Sequence, residues 1–193
     1  MTQDSPNVAA RYTGPAVALH WLIALLIAIN LLLIWFADDW PDGWVRPIID
    51  THKSIGITVL GLVIIRILWR ITHAPPPLPA SYPLRERRAA RVAHVAFYAV
   101  MLALPLTGWL HDSAWKDAVT HPMQLFGLVE WPRIAAVTRL DPAVKERLHV
   151  QFGAAHAWAG YVLYALFVLH VGGALKHQWL DRHPVLHRML PRR

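Results

Sequence analysis

Four stretches of predominantly apolar residues decide what this chain can fold into, because about 20 such residues are what a helix needs to cross a hydrocarbon core. They are "PAVALHWLIALLIAINLLLIWF" (15–36), the region 50–69 with its strongest part "IGITVLGLVIIRILW", "VAHVAFYAVMLALPLTGWL" (92–110), and about 149–176. Within lipid a backbone has no water to bond, so a span of this length must satisfy its own N–H and C=O groups as a helix. The expected fold class is therefore all-α: an integral membrane four-helix bundle, a single domain over 1–193. Only 16% of the residues are charged, against ~25% in soluble domains. Pro105 predicts a kink in the third span. Asp141 at an N-cap, Pro142 at the first helical position and Glu146 in the opening turns start the fourth helix outside the membrane. The first span does not read as a signal peptide, since its flank carries one basic residue, Arg11, and no small-residue cleavage motif follows.

The charges between the spans set the orientation. Twelve basic and three acidic residues fall on the side of both termini and the second connection, seven basic and nine acidic on the other side. Basic residues stay on the cytoplasmic side, which puts both termini there. In the second connection "APPPLP" reads as a stiff extended segment. In the third, "HPMQLFGLVEWPRI" suits either a surface-lying segment or an ordinary packed loop. The net charge of +7 does not form a basic stripe interleaved with aromatics, so nucleic acid is not an expected partner. There are no cysteines, which excludes thiolate metal sites, iron–sulfur clusters and thioether-linked haem and leaves histidine as the strong transition-metal ligand.

Histidine is abundant, with 12 in 193 residues, and its placement is regular. The run "HAWAGYVLYALFVLH" sets His156 and His170 fourteen residues apart. At about 100° and 1.5 Å per residue the two imidazoles look in nearly the same direction from depths about 21 Å apart. His52 near the outer end of the second span matches His156 in depth, and His20 near the cytoplasmic end of the first matches His170. An ionisable group within a span is costly and marks function. Two facing neutral imidazoles at each depth suit a metal with two open axial positions, as a b-type haem presents. Small residues lie near each ligand and admit a flat macrocycle: Ala16 and Ala24, Gly56, Gly153 and Gly160, Gly173 and Ala174. A bare zinc site would want a tetrahedron, and a metal carrier carboxylates deep in the spans, where none lie.

Other candidates follow from position. His94 competes with His20 as an inner ligand, although Phe97 and Tyr98 would crowd a porphyrin; a quinone site, a proton relay or plain packing are its other readings. His177 extends the stripe of the fourth helix to the cytoplasmic surface, in reach of a quinone carbonyl or of solvent. His111 and His149 lie towards the outer surface. Arg66 and Arg70 offer guanidinium forks to the inner haem's propionates or to lipid phosphate. Lys53, beside His52, is placed to neutralise an outer propionate or attract a small anion.

"ALHWLIAL", "THKSIG", "RVAHVAFYAVMLALPLTGW" and the fourteen-residue His spacing followed by "ALKHQW" and "HRMLPRR" resemble the prokaryotic cytochrome b561 family. The likeness extends to the membrane cytochrome b subunits of nickel-hydrogenases and formate dehydrogenases. It implies a multi-pass protein of the bacterial inner membrane with two b haems, held by His20, His52, His156 and His170, that exchanges electrons with ubiquinone. Stand-alone members are associated with oxidising superoxide at the periplasmic face, and so act as oxidoreductases. Others are anchor subunits that take electrons from a partner dehydrogenase or hydrogenase. The short chain and its "HRMLPRR" tail look more like the stand-alone branch.

Overall fold

The computed structural model describes residues 11–36, 39–77, 82–183 and 185–190. Four long helices dominate it: α1 (Gly14–Trp35), α2 (Asp42–Thr72), α3 (Leu84–Ser113) and, after a short helix α4 (Ala135–Thr138), α5 (Pro142–Leu175). Each of the four is long and apolar enough to cross a membrane. Three outrun their apolar windows, because amphipathic turns such as 42–49 and 84–91 continue the same helices beyond them. The first helix keeps the expected bounds within a residue. Helix α5 starts where the sequence placed it: the Asp141 side chain accepts a bond from Ala143 N at 2.8 Å, with Pro142 in the first turn. Past Leu175 it continues as a π-helical turn, Lys176–Leu180. Pro105 lies inside α3 and is buried. The last two residues of "APPPLP" and the last three of "HRMLPRR" lie outside the described residues.

The long helices run up and down and pack on their sequence neighbours: α1 on α2, α2 on α3, and α3 most extensively on α5. Helices α1 and α2 make at most marginal backbone contact with α5. Ile23, Ile55, Val59 and Val63 form the buried core of the α1–α2 contact, with Leu26, Ile27, Tyr98 and Met101 against it. The outer face of α5 exposes Trp158, Tyr161, Val168 and Leu169, the surface a bilayer would cover.

The third connection is a packed loop. It forms a two-stranded hairpin, β1 (Gln124–Leu125) against antiparallel β2 (Val129–Glu130). Its turn needs positive φ at Phe126 (52°) and Gly127 (68°). Phe126 is held there because its N–H donates to Ser54 Oγ at 2.9 Å, while the single Ser54 hydroxyl proton is within reach of Asp50 O at 2.7 Å or Gln124 O at 3.2 Å. Asp112 at the end of α3 takes Lys53 Nζ at 2.7 Å and Arg133 Nε at 2.8 Å, tying α2 and the loop to one buried carboxylate. Ser113 Oγ accepts from Ile134 N at 3.0 Å.

Candidate metal centres on helix α5

The two histidines of α5 each meet a partner across the side of the bundle where the backbones stand apart. His52 of α2 faces His156 with ring centroids 5.9 Å apart and planes at 84°. His20 of α1 faces His170 at 6.2 Å and 70°. Two metal–nitrogen bonds of about 2 Å and two ring half-widths of about 1 Å add up to about 6 Å, so both separations suit one metal held between two imidazoles. The same two helix faces that leave α5 without close backbone neighbours are the ones that carry these rings. A Cβ added at Gly56 or Gly160 would meet no protein atom within 4 Å. The donor set, its spacing and its surroundings fit a haem with two axial histidines.

The outer pair is framed by α3. His156 Nδ1 lies 2.9 Å from Leu104 O, and since a carbonyl only accepts, that nitrogen carries the proton and leaves Nε2 as the free ligand. Thr107 Oγ1 is 3.3 Å from the same nitrogen. Gly108 makes room for the ring: a Cβ there would come within 3.1 Å of His156. Nothing in the sequence announces a ligand-orienting carbonyl at Leu104, though a glycine facing α5 from a tightly packed span was a signal for Gly108. His52 Nδ1 is buried without a well-formed hydrogen bond, and the backbone of Asn30 is the polar group facing it. Lys53 points to Asp112 at 2.7 Å. One turn further out, His111 and His149 stack at 3.8 Å, and each Nδ1 bonds the other's carbonyl, at 2.8 and 3.0 Å. Gly153, expected beside His156, instead accommodates His111, which a Cβ would approach to 3.0 Å.

At the termini end three imidazoles converge. His94 lies 6.0 Å from His170, as close as His20. Its helix α3 is packed tightly on α5, and the Phe97 ring sits 5.2 Å from His170 on that side. Arg66 reaches inward: NH1 donates to Ala16 O at 2.7 Å and Nε to Tyr98 OH at 3.2 Å. Arg70 lies over the Tyr98 ring at 5.6 Å.

His177 sits apart from these, at the surface. Its Nδ1 is 2.7 Å from Asp181 Oδ2 and its ring stacks on Tyr82 at 4.7 Å. Glu86, His177 and Asp181 bring three ligand-type atoms within 4.8 Å of one another. Lys176 Nζ already bridges Glu86 at 2.9 Å and Asp181 at 2.8 Å, so one ammonium ties both carboxylates into an ion-pair network. The Lys176 ammonium holds the Asp181 carboxyl below the usual carboxylate range. Burial pushes the Tyr82 phenol up.

Known proteins resemble this chain in length and sequence. The family model described as prokaryotic cytochrome b561 matches residues 11–192. The chain is 34% identical to "Cytochrome b561 homolog 2" of Escherichia coli (strain K12), over 95% of this chain and 93% of that protein. It is 26% identical to "Cytochrome b561 homolog 1" of the same organism, over 95% and 98%. It is 28% identical to the "Probable superoxide oxidase CybB" of Yersinia pestis, over 95% and 97%. With the motifs, the four membrane helices and the matched span in agreement, the chain belongs to the prokaryotic cytochrome b561 family of multi-pass bacterial membrane proteins.

Proposed function

We propose that the protein carries electrons across the bacterial inner membrane, from a one-electron donor at the periplasmic face to ubiquinone, using two b haems. The observation that carries this reading is the pair of facing imidazoles at each of two depths, 5.9 and 6.2 Å apart, between α5 and helices whose backbones make at most marginal contact with it. His52 and His156 hold the outer haem, His20 and His170 the inner. Close packing of α3 on α5 favours His20 over His94 as the inner ligand, because a porphyrin cannot enter between helices already in contact. Bound haem supplies the one-electron iron couple.

The chain's own residues do the rest. Leu104 O fixes the tautomer and aim of His156. The Asp112 ion pairs and the Ser54 bonds fix the outer loop over the ends of α2 and α3. Both termini face the cytoplasm in this reading, as the basic excess on that side demands. A cleft of about 780 Å³ opens beside the start of α1, walled by Val17, Ala18, Trp21 and Leu190 with Arg11 and Tyr12 at its mouth. The Trp21 ring is 5.3 Å from that of His20, so a quinone head group there is one side chain from the inner centre. His94 and His177 are the residues to which we assign the handing of protons to quinone oxygens.

Superoxide is the donor we favour, supported by the full-length likeness to a relative named as a probable superoxide oxidase. The balance is two superoxide ions oxidised to two dioxygen while one quinone takes two electrons and two protons. The test is the purified chain in liposomes with a short-chain ubiquinone and a steady superoxide source. Quinol should form at one per two superoxide consumed. No quinol above the uncatalysed rate would overturn this donor and support the anchor-subunit reading.

A further inference from the structure

We infer that Arg66 raises the reduction potential of the haem held by His20 and His170 above that of the haem held by His52 and His156. Electrons entering at the hairpin end then run downhill to the termini end. The inference rests on the two-haem reading above and adds a direction to it.

Arg66 is half-buried in α2 at the depth of the inner histidines, and both its bonds go to neutral acceptors, Ala16 O and Tyr98 OH. No carboxylate among the described residues lies within ion-pair distance of it. Those two acceptors place it beside the inner histidines, since Ala16 stands one helical turn from His20 and Tyr98 one turn from His94. Tethered to α1 and α3, the guanidinium is held away from the lipid surface. Reduction adds one negative charge to a haem, and a fixed positive charge in a weakly polarisable interior stabilises the reduced form.

The outer site differs on both counts. Its adjacent cation, Lys53, is ion-paired with Asp112 at 2.7 Å and lies 3.7 Å from Asp50, whereas Arg66 meets neutral acceptors. Its ligand His156 donates through Nδ1 to Leu104 O, which makes the imidazole more basic and favours oxidised iron. The two effects act in the same sense.

The experiment is an anaerobic redox titration of the intact protein, followed in the haem absorption bands. The single-ligand variants His156→Ala and His170→Ala assign the two midpoints. The higher midpoint should survive in His156→Ala and vanish in His170→Ala. Arg66→Gln should weaken reduction of that haem about tenfold, a fall of about 59 mV for one electron, and leave the lower midpoint in place. Arg66→Lys should keep most of the gap. A higher midpoint belonging to the His52–His156 haem, or an Arg66→Gln protein with both midpoints unmoved, would overturn the inference. Should Arg66→Gln not fold, the order of the midpoints decides. Fewer than two haems per chain defeats the parent reading; two haems in the wrong order, or indifferent to Arg66, defeat only this one.

Discussion

The hairpin end and the termini end of the bundle present the same pair of imidazoles in different frames. At the hairpin end the His156 ring is fixed by a backbone carbonyl and seated against Gly108, and the nearby cation Lys53 is ion-paired with Asp112. At the termini end three imidazoles share the space with a guanidinium that has no carboxylate partner among the described residues. The imidazole pair therefore repeats while its electrostatic setting does not.

The sharpest way to break the comparison is to remove the ligands one at a time. His156→Ala and His170→Ala should each lose about half of the bound haem, and the double variant all of it, measured as the pyridine haemochrome per chain. His20→Ala should lose the inner haem and His94→Ala should keep both. Loss of haem in His94→Ala with none in His20→Ala would exchange their roles and put the inner centre against α3.

A smaller effect tests the frame of the outer end. Asp112 is 5% exposed, and Asp112→Ala would leave Lys53 and Arg133 side by side without their carboxylate. Stripping one partner from a buried ion cluster costs on the order of 3 kcal/mol. The thermal midpoint in detergent should fall clearly, more than for the exposed Lys176→Ala at the other end. Equal shifts for the two variants would show that the outer loop is not anchored through Asp112.

The smallest effect lies in the ion pairs of the termini end. Lys176 holds the folded-state pKa of Asp181 below its unfolded value, so the stabilisation is present above the usual carboxylate range and is lost as pH falls through the lowered value. Wild type should be slightly more stable than Asp181→Asn at neutral pH, and the gap should close on acidification. A gap that widens in acid would reverse the sign.

Much of this was legible in the sequence. Hydropathy located the four spans, because lipid demands uninterrupted apolar runs, and the cap at Asp141 was readable because capping is local chemistry. The fourteen-residue spacing put His156 and His170 on one face, and opposite helix directions matched them with His52 and His20. The extensions of α2 and α3 outside the lipid were not legible, since apolarity stops marking a helix where water begins. The hairpin depends on Ser54, 72 residues from Phe126, and no local pattern encodes such a bond. Leu104's role is a backbone one that any residue type could fill. Depth also set His94 beside His20 as a competitor for His170, but depth does not say which neighbouring helix stands apart.

The most direct measurement is the haem and iron content of the pure protein, expressed with ample haem precursor, with its visible spectrum. Two irons per chain, both as b haem with low-spin spectra of paired nitrogen ligands, are the predicted result. One haem per chain, or a colourless protein that binds other metals instead, would contradict the claim that α5 serves a redox centre at each of two depths.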